Sequence, residues 1–316
     1  MKVLIAEDDA VNRLLLQRFL EKWGYEVALA KDGLEAWRAL QEEKSPRLAI
    51  LDWMMPGMDG VQICREVRKL PNHSYLYLIL LTAKFQKQDI IAGLEAGADD
   101  YVTKPFDSSE LKARLQAGER ILRLEEDLRR AHDSLRFQAT HDSMTGLWNR
   151  AAALEILKAE LARAQREKIS VGVIMVDLDH FKEINDTYGH FTGDLVLEET
   201  ARRFRSAMRA YDAIGRYGGE EFLIIVPGCD LACALNQGER LRRAIEQTPV
   251  ATPEGLIPIS ISVGVTVSGD ALSCEPESLL RASDAALYQA KQRGRNRVES
   301  LMPHPLSLTS GLPTTA

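Results

Sequence analysis

The run Arg216-Tyr217-Gly218-Gly219-Glu220-Glu221-Phe222 places two glycines and two carboxylates between two strand-like stretches, Ala213 to Tyr217 and Phe222 to Val226. The pattern predicts a hairpin with the glycine pair at its tip. Glycines let a large anion approach the backbone and tolerate positive φ. The carboxylates open a strand whose apolar run, Leu223-Ile224-Ile225-Val226, should be buried. Another carboxylate, Asp177, ends the apolar run Val171 to Val176. If the two strands are neighbours, Asp177 and Glu220 can hold one or two Mg²⁺ ions against nucleotide phosphates, with Gly218 and Gly219 beneath the chain. Lys182, five residues after Asp177, can offset developing charge, and Lys291 and Arg295, near the end of a helix from about Ser278, can reach the phosphates from another side.

A second acidic constellation lies near the start. Glu7 and Asp8 follow Val3-Leu4-Ile5-Ala6, Asp52 follows Leu48-Ala49-Ile50-Leu51, Thr82 follows Leu76 to Leu81, and Lys104 follows Asp100 to Thr103. Strand-like and helix-like stretches alternate through this part, the rhythm of a doubly wound parallel sheet with helices on both faces. In such sheets, sites form at the carboxyl ends of strands. Three carboxylates gathered there repel one another and call for a hard divalent cation. Beside that cation, with a lysine and a threonine hydroxyl near, a carboxylate can attack a phosphoryl donor.

The elements that must position these groups divide the chain. Its 316 residues suggest two domains. The expected boundaries are 1–120 for the parallel-sheet domain, 107–141 for a helical connector continuing its last helix, 142–300 for the second domain, and 301–316 for a disordered tail rich in Pro, Ser and Thr. The second domain reads β-α-β-β-α-β, a ferredoxin-like sheet with antiparallel neighbours. In the connector, Asp107 or Ser108 is the expected N-cap of a helix running to about Ala139. Ile121, Leu124, Leu128, Ala131, Leu135 and Gln138 are spaced 3, 4, 3, 4 and 3, a short heptad seam flanked by charges. That seam reads as a coiled coil that pairs two copies; a single helix packed on its own domain is the alternative.

Composition narrows the function. The net charge is −6, shared by both parts, so neither carries the basic excess of a DNA binder. Apolar runs are strand-sized, which argues against a membrane span, and the start turns acidic too early for a signal peptide. A cytoplasmic protein is expected. Cys64, Cys229, Cys233 and Cys274 form no Cys-x-x-Cys pair and read as scattered reduced thiols.

The first 120 residues resemble the receiver domain of two-component response regulators. The motifs that carry this are Glu7-Asp8, Asp52-x-Met54-Met55-Pro56-Gly57-Met58-Asp59-Gly60, Thr82-Ala83 and Lys104-Pro105. The resemblance implies that Asp52 is the phosphoacceptor, that Glu7 and Asp8 bind Mg²⁺, and that Met54 lends a backbone carbonyl. It also makes Thr82 and Lys104 the readers of the phosphoryl group and Tyr101 the aromatic that turns inward on activation. A sensor histidine kinase or phosphotransfer protein is the implied donor. Glu7 stands where aspartate is commoner and keeps the charge.

Residues 141–298 resemble GGDEF diguanylate cyclases, on Asp142-x-Met144-Thr145-Gly146-Leu147, Asp177-x-Asp179-x-Phe181-Lys182-x-Ile184-Asn185-Asp186, Gly189-His190-x-x-Gly193-Asp194, Gly218-Gly219-Glu220-Glu221-Phe222 and Ala290-Lys291-x-x-Gly294-Arg295-Asn296. The implied reaction condenses two GTP into cyclic di-GMP and two pyrophosphates in a homodimer, with Mg²⁺ or Mn²⁺. Asp177 and Glu220 would bind the metals with the Leu178 carbonyl assisting, and Glu220 would help deprotonate the attacking hydroxyl. Asn185 and Asp194 would read guanine, whose N1–H and amino group are donors that suit a carboxylate. Trp148 stands where proline is usual, and Leu178 where a bulkier side chain is frequent. Arg209-Ala210-Tyr211-Asp212 alone would read as a surface ion pair. Its placement nine residues before Gly218 resembles the family's inhibitory product site, with Arg240 as a second contact. A module that only binds GTP or cyclic di-GMP is the alternative, and the intact Glu220, Asn185, Asp194 and Lys182 argue against it.

Overall fold

The computed structural model describes residues 1–42, 44–70, 75–83, 87–269 and 275–303. Two compact units divide the chain, Met1–Asp133 and Ser134–Ala316. Cys274 and residues 304–316 of the tail lie outside the described residues.

The first unit alternates strand and helix: β1 (Lys2–Ala6), α1 (Ala10–Lys22), β2 (Glu26–Ala30), α2 (Gly33–Gln41), β3 (Leu48–Asp52), α3 (Gly60–Lys69), β4 (Tyr77–Thr82), α4 (Lys87–Glu95) and β5 (Asp100–Thr103). The strands form one parallel sheet in the order β2-β1-β3-β4-β5. β3 and β4 are buried on both faces, as strands covered by helices on each side must be. Then α5 (Ser108–Thr140) starts where Asp107 Oδ1 accepts the backbone N–H groups of Ser109 and Glu110, so Asp107 is its cap. Leu111, Leu115 and Leu122 sit on the buried face of α5, each worth about 1.5–3 kcal/mol relative to exposure. Gly118 is required there because a Cβ would lie 2.5 Å from the Tyr77 ring. Leu124, Leu128 and Leu135 of the heptad seam are 62%, 72% and 65% exposed.

The second unit begins with α6 (Arg150–Glu167) and β6 (Val171–Leu178), followed by α7 (Phe181–Tyr188) and α8 (His190–Ala207). Gly189, at φ +84, separates these two helices where a single helical stretch is expected. Next come β7 (Ala213–Arg216), β8 (Glu221–Pro227), α9 (Leu231–Glu246), a small hairpin of β9 (Val250–Thr252) and β10 (Gly255–Ile257), β11 (Ile261–Val267), α10 (Pro276–Gln292) and β12 (Val298–Ser300). The main sheet runs β12-β11-β6-β8-β7. Its four antiparallel strands reproduce the expected β-α-β-β-α-β core, and β12 adds a parallel edge strand that periodicity in so short a segment does not reveal.

The cysteine expectation is corrected at one pair. Cys229 and Cys233 are joined as a disulfide with Cα atoms 5.5 Å apart, while Cys64 is free and buried. Spacing alone misses the bond because Cys229 precedes the helix cap and Cys233 lies in its first turn. The carboxylate of Asp230 caps α9 by accepting the N–H of Cys233, which turns the second thiol back over the first.

Candidate functional sites

At the carboxyl end of the parallel sheet, ligand oxygens of Glu7, Asp8 and Asp52 lie within 4.8 Å of one another. Glu7 is 1% exposed and Asp8 lies open to solvent, so the cluster has one buried wall and one accessible side. Lys104 Nζ is 2.7 Å from Glu7 Oε2 and 3.0 Å from Asp52 Oδ2. Burial pushes the Glu7 carboxyl above its ordinary value, and the bond from Lys104 offsets only part of that. Burial alone would lower Lys104, yet Glu7 and Asp52 hold it above the usual lysine value. An all-oxygen set of carboxylates suits a hard divalent cation such as Mg²⁺ or Mn²⁺.

Two further residues support this cluster, Arg13, outside the motifs, and Gly60, the last residue of the Asp52 motif. Arg13 Nη1 donates to the carbonyls of Glu7 and Asp8 and so fixes the acidic loop from α1. A Cβ on Gly60 would stand 2.4 Å from the Asp52 carbonyl oxygen, so only glycine lets α3 begin there. Thr82 ends β4 and is buried, Met54 is exposed beside Asp52, and Tyr101 is half-buried against the core of Leu78 and Leu80.

In the second unit, Asp177 lies on β6 opposite Glu221 of β8, and Leu178 N–H donates to the carbonyl of Glu220 at 3.3 Å. The hairpin thus delivers Glu220 to the end of the strand that carries Asp177. Lys291 Nζ, from the last turn of α10, is 2.8 Å from Asp177 Oδ2. Burial raises Asp177, with Lys291 opposing. Burial also raises Glu220, and the Asp177 charge adds to it. Both carboxyls are therefore short of positive charge, a donor set that fits a divalent cation. Arg295 follows α10 at φ +60, exposed, with its charge felt at Asp177. Lys182 is exposed in the first turn of α7.

The two glycines serve for space, since neither has a positive φ. A Cβ on Gly218 would meet Glu221 Oε2 at 2.4 Å, whereas one on Gly219 would point into open space. Asn185 and Asp194 come from α7 and α8. A Cβ on Gly193 would be 1.9 Å from Asn185 Oδ1, so the glycine that precedes Asp194 is what lets the Asn185 side chain lie against α8.

Three further residues hold this arrangement. Arg216 Nε and Nη2 donate to the Gly219 carbonyl at 3.1 and 2.7 Å, and its Nη1 pairs with Asp142. Asp142 also accepts from the backbone and hydroxyl of Thr145, so one arginine fastens the glycine hairpin to the Asp142 turn. Asp179 is 4% exposed and accepts from Ser260, Ser262 and the Asn296 N–H, which anchors the loop carrying Arg295. Its place in the Asp177-x-Asp179 motif was the only sequence signal for it.

Arg209 and Asp212 do not form the surface ion pair their spacing suggests. Asp212 is 9% exposed; its Oδ2 accepts the Arg209 N–H, and its Oδ1 is buried without a hydrogen-bond partner. The Arg209 guanidinium instead lies over Tyr211. Arg240, on α9, reaches Met208 Sδ at 3.9 Å, beside Arg209 in the chain.

A phosphoacceptor-type parallel sheet and an antiparallel sheet with a glycine–glutamate hairpin define a response regulator with a nucleotide-handling output. Family models agree: a response regulator receiver domain matches residues 3–116, and "Diguanylate cyclase, GGDEF domain" matches 139–297. The chain belongs to the GGDEF response regulators and is a diguanylate cyclase. The response regulator PleD of Caulobacter vibrioides is 35% identical over 94% of this chain and 98% of its own length. That alignment runs over 451 positions, more than this chain holds, so the relative carries segments with no counterpart here. Diguanylate cyclase DgcP of Pseudomonas aeruginosa is 38% identical over 66% of this chain and 31% of its own. Among solved structures, the coiled coil and GGDEF domain of DgcB from Caulobacter crescentus, in complex with c-di-GMP, superposes with a TM-score of 0.55 at 30% identity. It covers 60% of this chain and 99% of that one. No helix among the described residues is long and apolar enough to cross a membrane.

Proposed function

We propose that this protein is a phosphorylation-activated cytoplasmic cyclase that condenses two GTP into cyclic di-GMP as a homodimer and is inhibited by its product. The observation that carries the catalytic part is the 2.8 Å contact of Lys291 with Asp177 beside Glu220. A lysine there puts positive charge on one of two neighbouring carboxyls raised by burial. Asp177, Glu220 and the Leu178 carbonyl would hold Mg²⁺ or Mn²⁺. When bound, that ion supplies Lewis-acid charge to the phosphates. Lys291 then turns to the phosphates, joined by Lys182 and Arg295. Asp194 accepts from the N1–H and amino donors of the guanine edge, the Asn185 amide donates and accepts there, and Gly218 and Gly219 leave room for the triphosphate. Glu220 takes the proton of the 3′-hydroxyl as its oxygen bonds to the α-phosphorus of the partner's GTP. Pyrophosphate leaves, and the reciprocal attack closes the ring.

Each cyclase domain offers one such site, so two must face each other, an alignment that lowers the barrier substantially. The exposed leucines of α5 supply the pairing seam. On this reading a cognate histidine kinase or phosphotransfer protein phosphorylates Asp52, Glu7 and Asp8 would hold the cation beside it with the Met54 carbonyl, Thr82 and Lys104 would bind the phosphoryl oxygens, and Tyr101 would follow. Receiver pairing changes, and α5 re-registers the cyclases. Arg209, Asp212 and Arg240 form the inhibitory product site, and the unpartnered Asp212 Oδ1 is the acceptor a guanine edge would satisfy.

The test is product formation from GTP and Mg²⁺, with and without beryllium fluoride, in the native chain and in Leu128→Pro. Faster turnover with beryllium fluoride, lost in the variant, is expected. Equal rates in both conditions would discard receiver control, and a full response in Leu128→Pro would discard the seam.

A further inference from the structure

Beside the Arg209–Asp212 turn the structure holds a cavity of about 450 Å³, lined among others by His141, Trp148, Arg205, Met208, Arg209 and Asp212. Its composition is that of a nucleotide pocket: two guanidinium groups, a buried acceptor with an unused lone pair, and aromatic rings. The rings come from outside the Arg-x-x-Asp turn. His141 stacks between Phe137 and Trp148, with ring centroids 4.2 Å apart on each side. Trp148 is held in place by its backbone, which donates to the Ile214 carbonyl and accepts from the Arg216 N–H. Arg205 donates to the Thr145 carbonyl at 2.7 Å, so the turn that presents Trp148 is braced from α8.

We infer that Trp148 is part of the product site, its ring forming the aromatic wall against which a guanine base of cyclic di-GMP packs while Asp212 accepts from its edge, with His141, sandwiched between Phe137 and Trp148, as the positioning residue that holds that ring. This rests on the product-site reading above and extends it to residues at the end of α5. An aromatic face suits a purine irrespective of its substituents, and the selectivity for guanine comes from Asp212. Proline at position 148 would offer no such face. A ligand in this cavity touches the last residues of the connecting helix, since the His141 N–H closes that helix on the Phe137 carbonyl. Product therefore stiffens the joint where α5 enters the cyclase unit.

The experiment is calorimetric titration of the full chain with cyclic di-GMP, in the native protein and in Arg209→Ala, Trp148→Ala, Trp148→Phe and His141→Ala. Trp148→Ala should weaken binding roughly tenfold, the size of a lost base–aromatic contact, His141→Ala should weaken it less by freeing the Trp148 ring to move, and Trp148→Phe should retain most of the affinity. Tryptophan emission should change on titration of the native protein and not of Trp148→Phe, a readout that survives if Trp148→Ala fails to fold. Native affinity in Trp148→Ala and His141→Ala, with binding lost in Arg209→Ala, would overturn the aromatic wall and leave the product site standing. Native affinity in Arg209→Ala as well would overturn the product site itself.

Discussion

The two acidic sites solve one electrostatic problem with different completeness. In the receiver unit three carboxylates converge within 4.8 Å, and Lys104 bridges two of them. In the cyclase unit Lys291 contacts Asp177 alone, and no third acidic ligand joins Asp177 and Glu220 among the described residues. On the proposed reading the receiver's carboxylates alone would hold a cation, whereas the cyclase pair would need oxygens from the nucleotide. Each site also has an arginine that grips the backbone of its acidic loop: Arg13 holds Glu7 and Asp8, and Arg216 holds Gly219. Arg13 makes no contact beyond that loop in the bonds above, while Arg216 goes on to Asp142. Recognition is built in where the partner is a small ion and is left open where the substrate must complete the site.

The strongest way to break this comparison is to remove a carboxylate from each site. Glu220→Gln should lower cyclic di-GMP formation roughly 10³-fold, because charge stabilisation and the proton acceptor go together. Asp52→Ala should retain turnover without beryllium fluoride and lose the response to it. Comparable loss of basal turnover in both variants would mean that the two sites are not separable.

The lysines come next. Lys291→Met should cut turnover by about 10²-fold, the scale of one lost charge on transferring phosphates. Lys104→Met, which leaves three carboxylates without their counter-charge, should tighten Mg²⁺ binding to the receiver by roughly tenfold. Titration of Mg²⁺ followed by the emission of Trp53, next to Asp52, reads that affinity. Weaker Mg²⁺ binding in Lys104→Met would show that the lysine organises the carboxylates instead of competing with the ion.

A smaller effect is expected from the arginine tethers. Arg216→Ala frees the Gly219 carbonyl and the Asp142 carboxylate together, and kcat/KM for GTP should fall about tenfold from misplacement of the hairpin. Arg13→Ala should leave that ratio unchanged and weaken only the receiver's Mg²⁺ binding.

What the sequence discloses of all this follows from what leaves a local trace. Asp52, Asp177 and Glu220 end or begin apolar runs, and such runs mark strands, so the ends of the strands, and hence the sites, are legible. Asn185 and Asp194 are legible only through resemblance, because the packing of Asn185 against α8 depends on the space Gly193 leaves between two helices. Arg216, Arg13 and Asp179 leave almost no trace, since their partners lie in turns whose backbone carbonyls have no sequence signature. The disulfide escapes for a related reason: its geometry comes from the cap of α9, not from the spacing of its cysteines.

The last comparison separates carboxylates that serve a site from those that serve the fold. Glu7, Asp177 and Glu220 are raised by burial, so their ionised forms cost stability until a cation arrives. Glu199 and Glu239 are the reverse. Hydrogen bonds from Arg202 and from Arg242, the largest cause in each case, pull them down to about 2 from an ordinary 4.5. Glu199 also pairs with Arg203, which is 8% exposed and donates to the carbonyls of Ile245, in the last turn of α9, and Thr248, just beyond it. A carboxyl with a lowered folded value stabilises fully above its unfolded value, and the contribution fades as pH falls toward the folded one. Glu199→Gln should accordingly lower the melting temperature of the full chain's cyclase transition by about 2–4 °C at pH 6. At pH 3 the variant and the native protein should melt closer together, because part of the native advantage has already been titrated away. Calorimetric scans of both proteins at the two pH values measure that gap, and a gap that widens at pH 3 would remove Glu199 from the group of fold-serving carboxylates.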